Sequence, residues 1–346
     1  MEAPPHPNLL PLKGEKERTQ RALLRLVAAC FFSLALSSPL LAQSPPATWP
    51  AKTIRLIVPL PAGSSVDLVG RLVAQKLGAR LGQTIIVEDR PGASGAIGTE
   101  ALVRAASDGY TLGMATSTTL ATAPVLNPQL GYDPLHDVTP VALVGVSPYL
   151  LVTHAGLPAK DVAGLIALAK QKPGVISYSS VGDASLAHLA GLLFSSMAGV
   201  ELNHIPYKTS THSVIDLIEG RIDLQFSVVP TTLQFIRSGK LRALAVTTEK
   251  RLDELPDVPT FEEAGLKGFE VSLWFAVVAP KNTPAAIVAR LEREIAGVVA
   301  EPDVKTAWAT VGIVPQAGTS AALGERIARD ITTWRGVASG IKIKSD

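Results

Sequence analysis

The feature that most constrains this chain is an alternation, from residue 53 to residue 247, of short β-branched apolar runs and longer stretches with apolar residues at helical spacing. Residues 53–60 are a run of the first kind, ended by Pro61. Residues 67–81 are of the second, carrying Leu68, Leu72, Val73 and Leu77, with Gly82 as the stop. A strand at 84–87, a helix at 95–106 and a strand at 110–115 follow, the last after the turn Ser107-Asp108-Gly109. Such alternation requires parallel strands joined by crossover helices, so the expected class is α/β.

At 346 residues the chain exceeds what one compact core usually manages, and two lobes are expected. The run at 141–153 is long enough to leave one lobe and enter another. Helices are then expected at 162–170, 185–197 and 213–219, with strands at 175–179, 222–228 and 241–247. A second long apolar run, 269–279, crosses back, and helices at 284–299, 302–311 and 320–337 complete the chain. The predicted architecture has a discontinuous first lobe, residues 43–148 and 270–346, and a second lobe, residues 149–269. Each is a mainly parallel sheet flanked by helices, and two crossing strands join them. A cleft between lobes is a preferred place for a small ligand.

Residues 1–42 hold five Lys/Arg against three acids, which leaves 27 of each sign in residues 43–346. A neutral body offers no general field for nucleic acid or anionic lipid. In the head, a basic stretch from Lys13 to Arg25 precedes the largely apolar residues 26–42, the order of a secretory signal peptide cleaved near Ala42. Pro39, Ser37 and Ser38 interrupt that run, which is short of the roughly 20 residues an anchor needs. A lipoprotein reading of Cys30 meets the objection that the apolar run continues through Phe31 and Phe32. Cys30 is the one cysteine, so disulfide frameworks and CxxC metal sites are excluded. A periplasmic location is expected, and the polar residues 1–20 are long for such a leader.

Two loops carry the sharpest chemical signal. Residues 58–65 and 178–185 each run from a strand through a Gly/Ser segment into a helix start. Helix starts present unpaired N–H groups and partial positive charge, glycine lets the backbone approach, and serine adds donors. Neither loop holds Lys or Arg, which points to a carboxylate held by neutral groups. As caps alone, Ser64, Ser65 and Ser185 would carry no function. No nucleotide, serine-hydrolase or zinc-protease motif is present. Gly92-Ala93-Ser94-Gly95 reads as a turn and helix start. His188, one turn after Ser185, permits a Ser–His pair, but no third orienting group is evident, and packing against the sheet is the better reading. The remaining histidines have no metal-ligand spacing. Trp308 and Trp334 read as core, and so does Trp274, although a crossing strand could also turn it to the cleft.

A series of blocks resembles the Bug-type extracytoplasmic receptors of tripartite tricarboxylate transporters. They are Ile54-Arg55-Leu56-Ile57-Val58-Pro59 with Gly63 and Asp67, Val87-Glu88-Asp89-Arg90-Pro91-Gly92-Ala93, Asp108-Gly109-Tyr110-Thr111-Leu112, His188-Leu189-Ala190-Gly191, Pro206-Tyr207-Lys208, the run 239–247, and Leu255-Pro256-Asp257-Val258-Pro259-Thr260 with Glu263-Ala264-Gly265. The resemblance implies a two-lobed Venus-flytrap receptor without catalytic activity or cofactor, which captures a small organic acid for membrane transporter subunits. A monomer is expected. It also implies ligand contacts at Leu60, Ala62, Gly63, Ser64 and Ser65, at Thr116, Ser117 and Thr118 after the third strand, and at Ser180, Gly182, Asp183 and Ser185. Ser64 and Thr209 stand where the family usually has glycine, Val66 where threonine is common, and Ser227 where aspartate is frequent. Asp183 places a carboxylate inside an anion-binding loop. Facing the cleft, it would favour a ligand with one carboxylate and an ammonium, hydroxyl or amide at the other end; facing solvent or capping the helix, it would not. The alternatives are a binding protein that serves a sensor and a bilobal enzyme built on Ser185 and His188.

Overall fold

Four β-branched or aliphatic residues of Ile54–Val58 (β1) are buried on both faces, as a strand between parallel neighbours requires. The computed structural model describes residues 49–127, 129–182, 185–207 and 209–339. β1 pairs in parallel with Ile85–Asp89 (β2) and Thr111–Thr116 (β3). Ser177–Ser180 (β5) lies likewise between Asn203–Pro206 (β6) and Leu224–Val228 (β7). The two parallel triads are joined by one long strand, Val138–His154 (β4). Through Pro148 it pairs antiparallel with Ser272–Pro280 (β9), and from Tyr149 onward with β7 and with Leu241–Val246 (β8). Val314–Gly318 (β10) adds to its first half. The parallel strands thus form three-stranded groups bordered by antiparallel crossing strands, within one order β2-β1-β3-β9-β4-β7-β5-β6.

The helices follow the apolar periodicity closely. Ser65–Leu81 (α1) ends at Gly82 in the left-handed conformation (φ 67°), where its N–H donates to the Gly78 carbonyl. Ala96–Val103 (α2), Ala123–Leu126 (α3) and Val162–Gln171 (α4) come next. Leu186–Ala198 (α5), Ser210–Ile218 (α6) and Val229–Arg237 (α7) follow, and then Ala285–Ala300 (α8), Pro302–Ala309 (α9) and Ser320–Ser339 (α10). α1 packs on the β1–β3 face through Val69, Val73 and Leu77, in one core with Leu291, Ile295 and Trp308. α5 packs on β5 through Gly191, where an added Cβ would stand 2.1 Å from the Tyr178 ring. Trp274 is fully buried and its indole N–H donates to Asp330 at 2.8 Å, so this crossing-strand ring belongs to the core and not to the cleft. Trp308 and Trp334 are buried as expected.

The expected signal peptide lies outside the described residues. Among the described residues no helix is long and apolar enough to cross a membrane.

Candidate functional site

The two Gly/Ser loops open their helices with the same device. Ser64 Oγ accepts the Asp67 N–H at 3.3 Å to cap α1, and Ser185 Oγ accepts the His188 N–H at 3.3 Å to cap α5. Ser65 is the first helical residue rather than the cap. In the first loop the Gly63 N–H, at a φ of 81°, donates to Asp67 Oδ2 at 2.7 Å. Arg71 then bridges Asp67 at 2.7 Å and Asp89 at 2.6 Å. Burial pushes the Asp67 carboxyl up, but the Gly63 N–H and the Arg71 guanidinium outweigh it and hold the group below its ordinary value. Asp89, partly buried and repelled by Asp67, is pushed up instead. The pair shares one cation, and Asp67 is the more acidic of the two.

In the second loop Ser180 Oγ donates to the Gly182 carbonyl at 2.9 Å, accepts the Gly182 N–H at 3.1 Å and lies 2.7 Å from His204 Nε2. The His204 ring stacks on that of His188 at 4.0 Å. His188 therefore packs under the loop, and its bond to Ser185 runs from the backbone amide, as a cap and not as a nucleophile–base pair. Asp183 lies outside the described residues.

After β3 the chain enters a π-helical turn, Thr118–Thr122, of the kind often found at functional sites. Thr116 and Thr119 exchange side-chain-to-backbone bonds, and the Tyr132 hydroxyl donates to the Thr119 carbonyl at 2.6 Å. Burial pushes the Tyr132 hydroxyl up to about 12. Ser117 is buried, and its Oγ has no hydrogen-bond partner among the described residues.

The Gly92–Gly95 segment, expected as a turn and helix start, is observed as one and also lies beside a cavity. Gly92, Ala93, Ser94 and Gly95 all have positive φ (133°, 47°, 53° and 97°), and α2 then starts without a side-chain cap. A Cβ on Gly95 would stand 2.6 Å from Thr119 Cγ2 and 3.4 Å from Pro59 Cβ. This turn, the end of β1 and the π-helical turn are thus pressed together.

A cavity of about 580 Å³ opens beside them. Ser94, Thr118 and Thr122 line one side with Leu126 and Leu130, and Ser185 and Leu186 face it from α5. Tyr149 and Leu273, on the crossing strands β4 and β9, complete it together with Ala93, Ala123 and the amide side chain of Asn127. Of the residues expected from the sequence, the cavity brings together Thr118 and Ser185. The first loop, Thr116, Ser117, Ser180 and Gly182 stand outside its lining. Ser94, Tyr149 and Leu273 are additions; the one signal for Ser94 was the Gly-Ala-Ser-Gly spacing, which is permissive of positive φ. Among the described lining residues none is charged. Burial pushes the Tyr149 hydroxyl up to about 12, so it stays a neutral donor. Among the described residues no group of three or more His, Cys, Asp or Glu is placed to hold a metal.

Comparison with known proteins adds to this geometry. Residues 69–342 match the family described as tripartite tricarboxylate transporter family receptor. The protein BugT of Bordetella pertussis is 38% identical over 325 residues, which is 93% of this chain and 98% of BugT. Among solved structures, a TctC solute binding protein from Polaromonas superposes with a TM-score of 0.79 at 29% identity, covering 85% of this chain and 100% of that one. R. palustris Rpa4515, solved with adipate, gives a TM-score of 0.66 at 35% identity, covering 84% of this chain and 97% of that one.

Proposed function

Because the chain belongs to the receptor family of tripartite tricarboxylate transporters, we propose that the cavity between Ser94, Thr118 and Ser185 is where it captures a small carboxylate for the transporter's membrane subunits. The observation that carries this reading is the meeting, in one cavity with no charged residue among its described lining, of hydroxyls from both halves of the sheet and side chains of both crossing strands. Ser185 Oγ accepts from the His188 amide, and its own proton remains to donate to a carboxylate at the α5 start. The adipate bound to Rpa4515 supports a carboxylate as ligand.

In this reading residues 43–148 and 270–346 move as one lobe and residues 149–269 as the other, and the loops at Leu60–Ser65 and Ser180–Ser185 approach the ligand when the cleft closes. The protein acts by binding and not by catalysis, as a periplasmic monomer cleaved near Ala42. Mass spectrometry of small molecules released from freshly purified, denatured protein tests the reading directly. An organic acid, one per chain, is expected, and its affinity should fall in Ser185→Ala. A released ligand without a carboxylate would overturn the proposal.

A further inference from the structure

Resting on that reading, we propose that Ser94 is a ligand-recognition residue kept at the expense of stability: its side chain occupies a backbone position suited to glycine because its hydroxyl donates to an oxygen of the bound acid. Ala93 and Ser94 stand at φ of 47° and 53° between Gly92 and Gly95. The packing around them holds the chain on that path. A Cβ on Gly98 would stand 2.7 Å from both Pro59 Cα and the Arg90 carbonyl oxygen, and one on Gly95 2.6 Å from Thr119 Cγ2. Helix α2 thus begins pressed against the end of β1 and the π-helical turn. The turn leading into it is closed by the Gly95 N–H, which donates to the Gly92 carbonyl at 2.9 Å. Glycine is the unstrained residue in the left-handed region, and any other side chain there costs stability. Strain of this kind persists only where its surroundings over-determine it, and it gathers at ligand sites.

Nothing in the described fold uses the serine in return. α2 starts without a side-chain cap, and the exposed Ser94 hydroxyl has no hydrogen-bond partner among the described residues. Two other hydroxyls of the lining are engaged: Ser185 Oγ accepts the His188 N–H at 3.3 Å, and Thr122 donates to the Thr118 carbonyl at 3.2 Å. Ser94 keeps its proton and its lone pairs for whatever enters the cavity. Asn127, also on the lining, accepts the Gln129 N–H through Oδ1 at 3.0 Å, which leaves its NH2 to donate. The two side chains therefore offer donors without charge, the complement of an acid oxygen.

The test pairs melting with calorimetric titration, using acetate, hexanoate, malate and adipate on the mature protein freed of co-purified ligand. Ser94→Gly should raise the melting temperature by about 1–3 °C and weaken the tightest of these acids about tenfold, two effects of opposite sign. Ser94→Ala keeps the strain and loses the hydroxyl, so melting should stay unchanged while affinity falls by the same factor. Asn282→Gly relieves a left-handed residue (φ 62°) outside the cavity lining and should leave affinity as it is. Parent-like affinity in Ser94→Gly or in Ser94→Ala overturns the assignment of the hydroxyl, and with Ser185→Ala still weakened it leaves the carboxylate cavity standing. A lower melting temperature in Ser94→Gly also overturns the proposal, since the serine would then serve the fold. Failure of every acid to bind, or parent-like binding by Ser185→Ala, overturns the cavity reading itself.

Discussion

The two serine caps are alike in geometry and differ in what their free side faces, and that difference separates folding from binding. Ser64 and Ser185 each receive one amide at 3.3 Å, but Ser185 alone of the two lines the cavity. Replacing either with Ala should lower stability by about 1 kcal/mol through the lost cap. Only Ser185→Ala should also weaken acid binding, by about 1.5–3 kcal/mol for a bond to a charged group. Parallel melting and calorimetry check this, and equal affinity in both variants would place the ligand elsewhere. Ser64 and Thr209 stand where the family usually has glycine, and each caps a helix here, Thr209 by accepting the His212 N–H. Their presence needs no ligand to explain it. Asp67 gives a pH-dependent prediction. Its folded value lies below the unfolded value near 4, so its contribution is present above about pH 4 and is lost as the pH falls through the folded value. Asp67→Asn should therefore cost about 1.5–3 kcal/mol at neutral pH, from the charge-assisted bonds to Gly63 and Arg71. The penalty should shrink in denaturant titrations below pH 4. A penalty constant from pH 7 to pH 3 would mean that the Asp67 charge contributes nothing.

At the scale of elements, the turn Gly92–Gly95 is the one whose disturbance should reach both fold and site. Gly95→Ala places a Cβ 2.6 Å from Thr119 Cγ2 at a φ of 97°, whereas Gly63→Ala, at a φ of 81°, meets nothing within 4 Å. Backbone strain alone costs on the order of 1–2 kcal/mol. Gly95→Ala should exceed that and also displace Thr118, which the π-helical turn carries, lowering affinity tenfold or more. Gly63→Ala should show the strain alone. The comparison fails if the two variants melt together and bind alike. Most elements were legible because their periodicity was strong: the helix expected at 320–337 is observed at Ser320–Ser339, and the crossing run at 141–153 lies within Val138–His154. The elements that escaped were short or opened on proline. β6 is four residues ending in Pro206, and β10 carries Pro315, neither with an alternating pattern. α7 begins Val229-Pro230, where proline suits the first turn of a helix but reads in sequence as a stop. Of the hydroxyls that line the cavity, Ser185 alone was legible from a Gly/Ser loop before a helix, a contiguous signal; Thr118 rests on the family resemblance, and Ser94 reads in sequence as part of a turn. The apolar half was not legible, because Leu126, Leu130, Leu186 and Leu273 meet only when strands far apart in sequence are paired.

For the whole molecule, the position of the sheet's switch decides how the cleft can close. β4 exchanges partners between Pro148, which faces β9, and Tyr149, which faces β7, so bending there disrupts no continuous ladder. The return crossing is held on one side: Arg326 of α10 donates to Glu270 at 2.6 Å and to Ser272 at 2.9 Å, and Trp274 is tied to Asp330. Closure of the cleft is therefore expected to bend the chain at Pro148–Tyr149 and in the residues just before Glu270. Tyr149 lines the cavity immediately after the switch, so a ligand held there would touch the expected hinge. A ligand at about 100 times its dissociation constant should stabilise the protein by roughly 2.7 kcal/mol. A melting shift of several degrees should follow for a chain of this size. Small-angle scattering should record a smaller radius of gyration with ligand than without. Arg326→Ala, which frees the return crossing, should preserve contacts in the cavity yet blunt the compaction and weaken binding, because more conformations must be lost on closing. If saturating ligand raises the melting temperature while the radius of gyration stays constant in both proteins, the site is rigid and the switch in β4 is not a hinge.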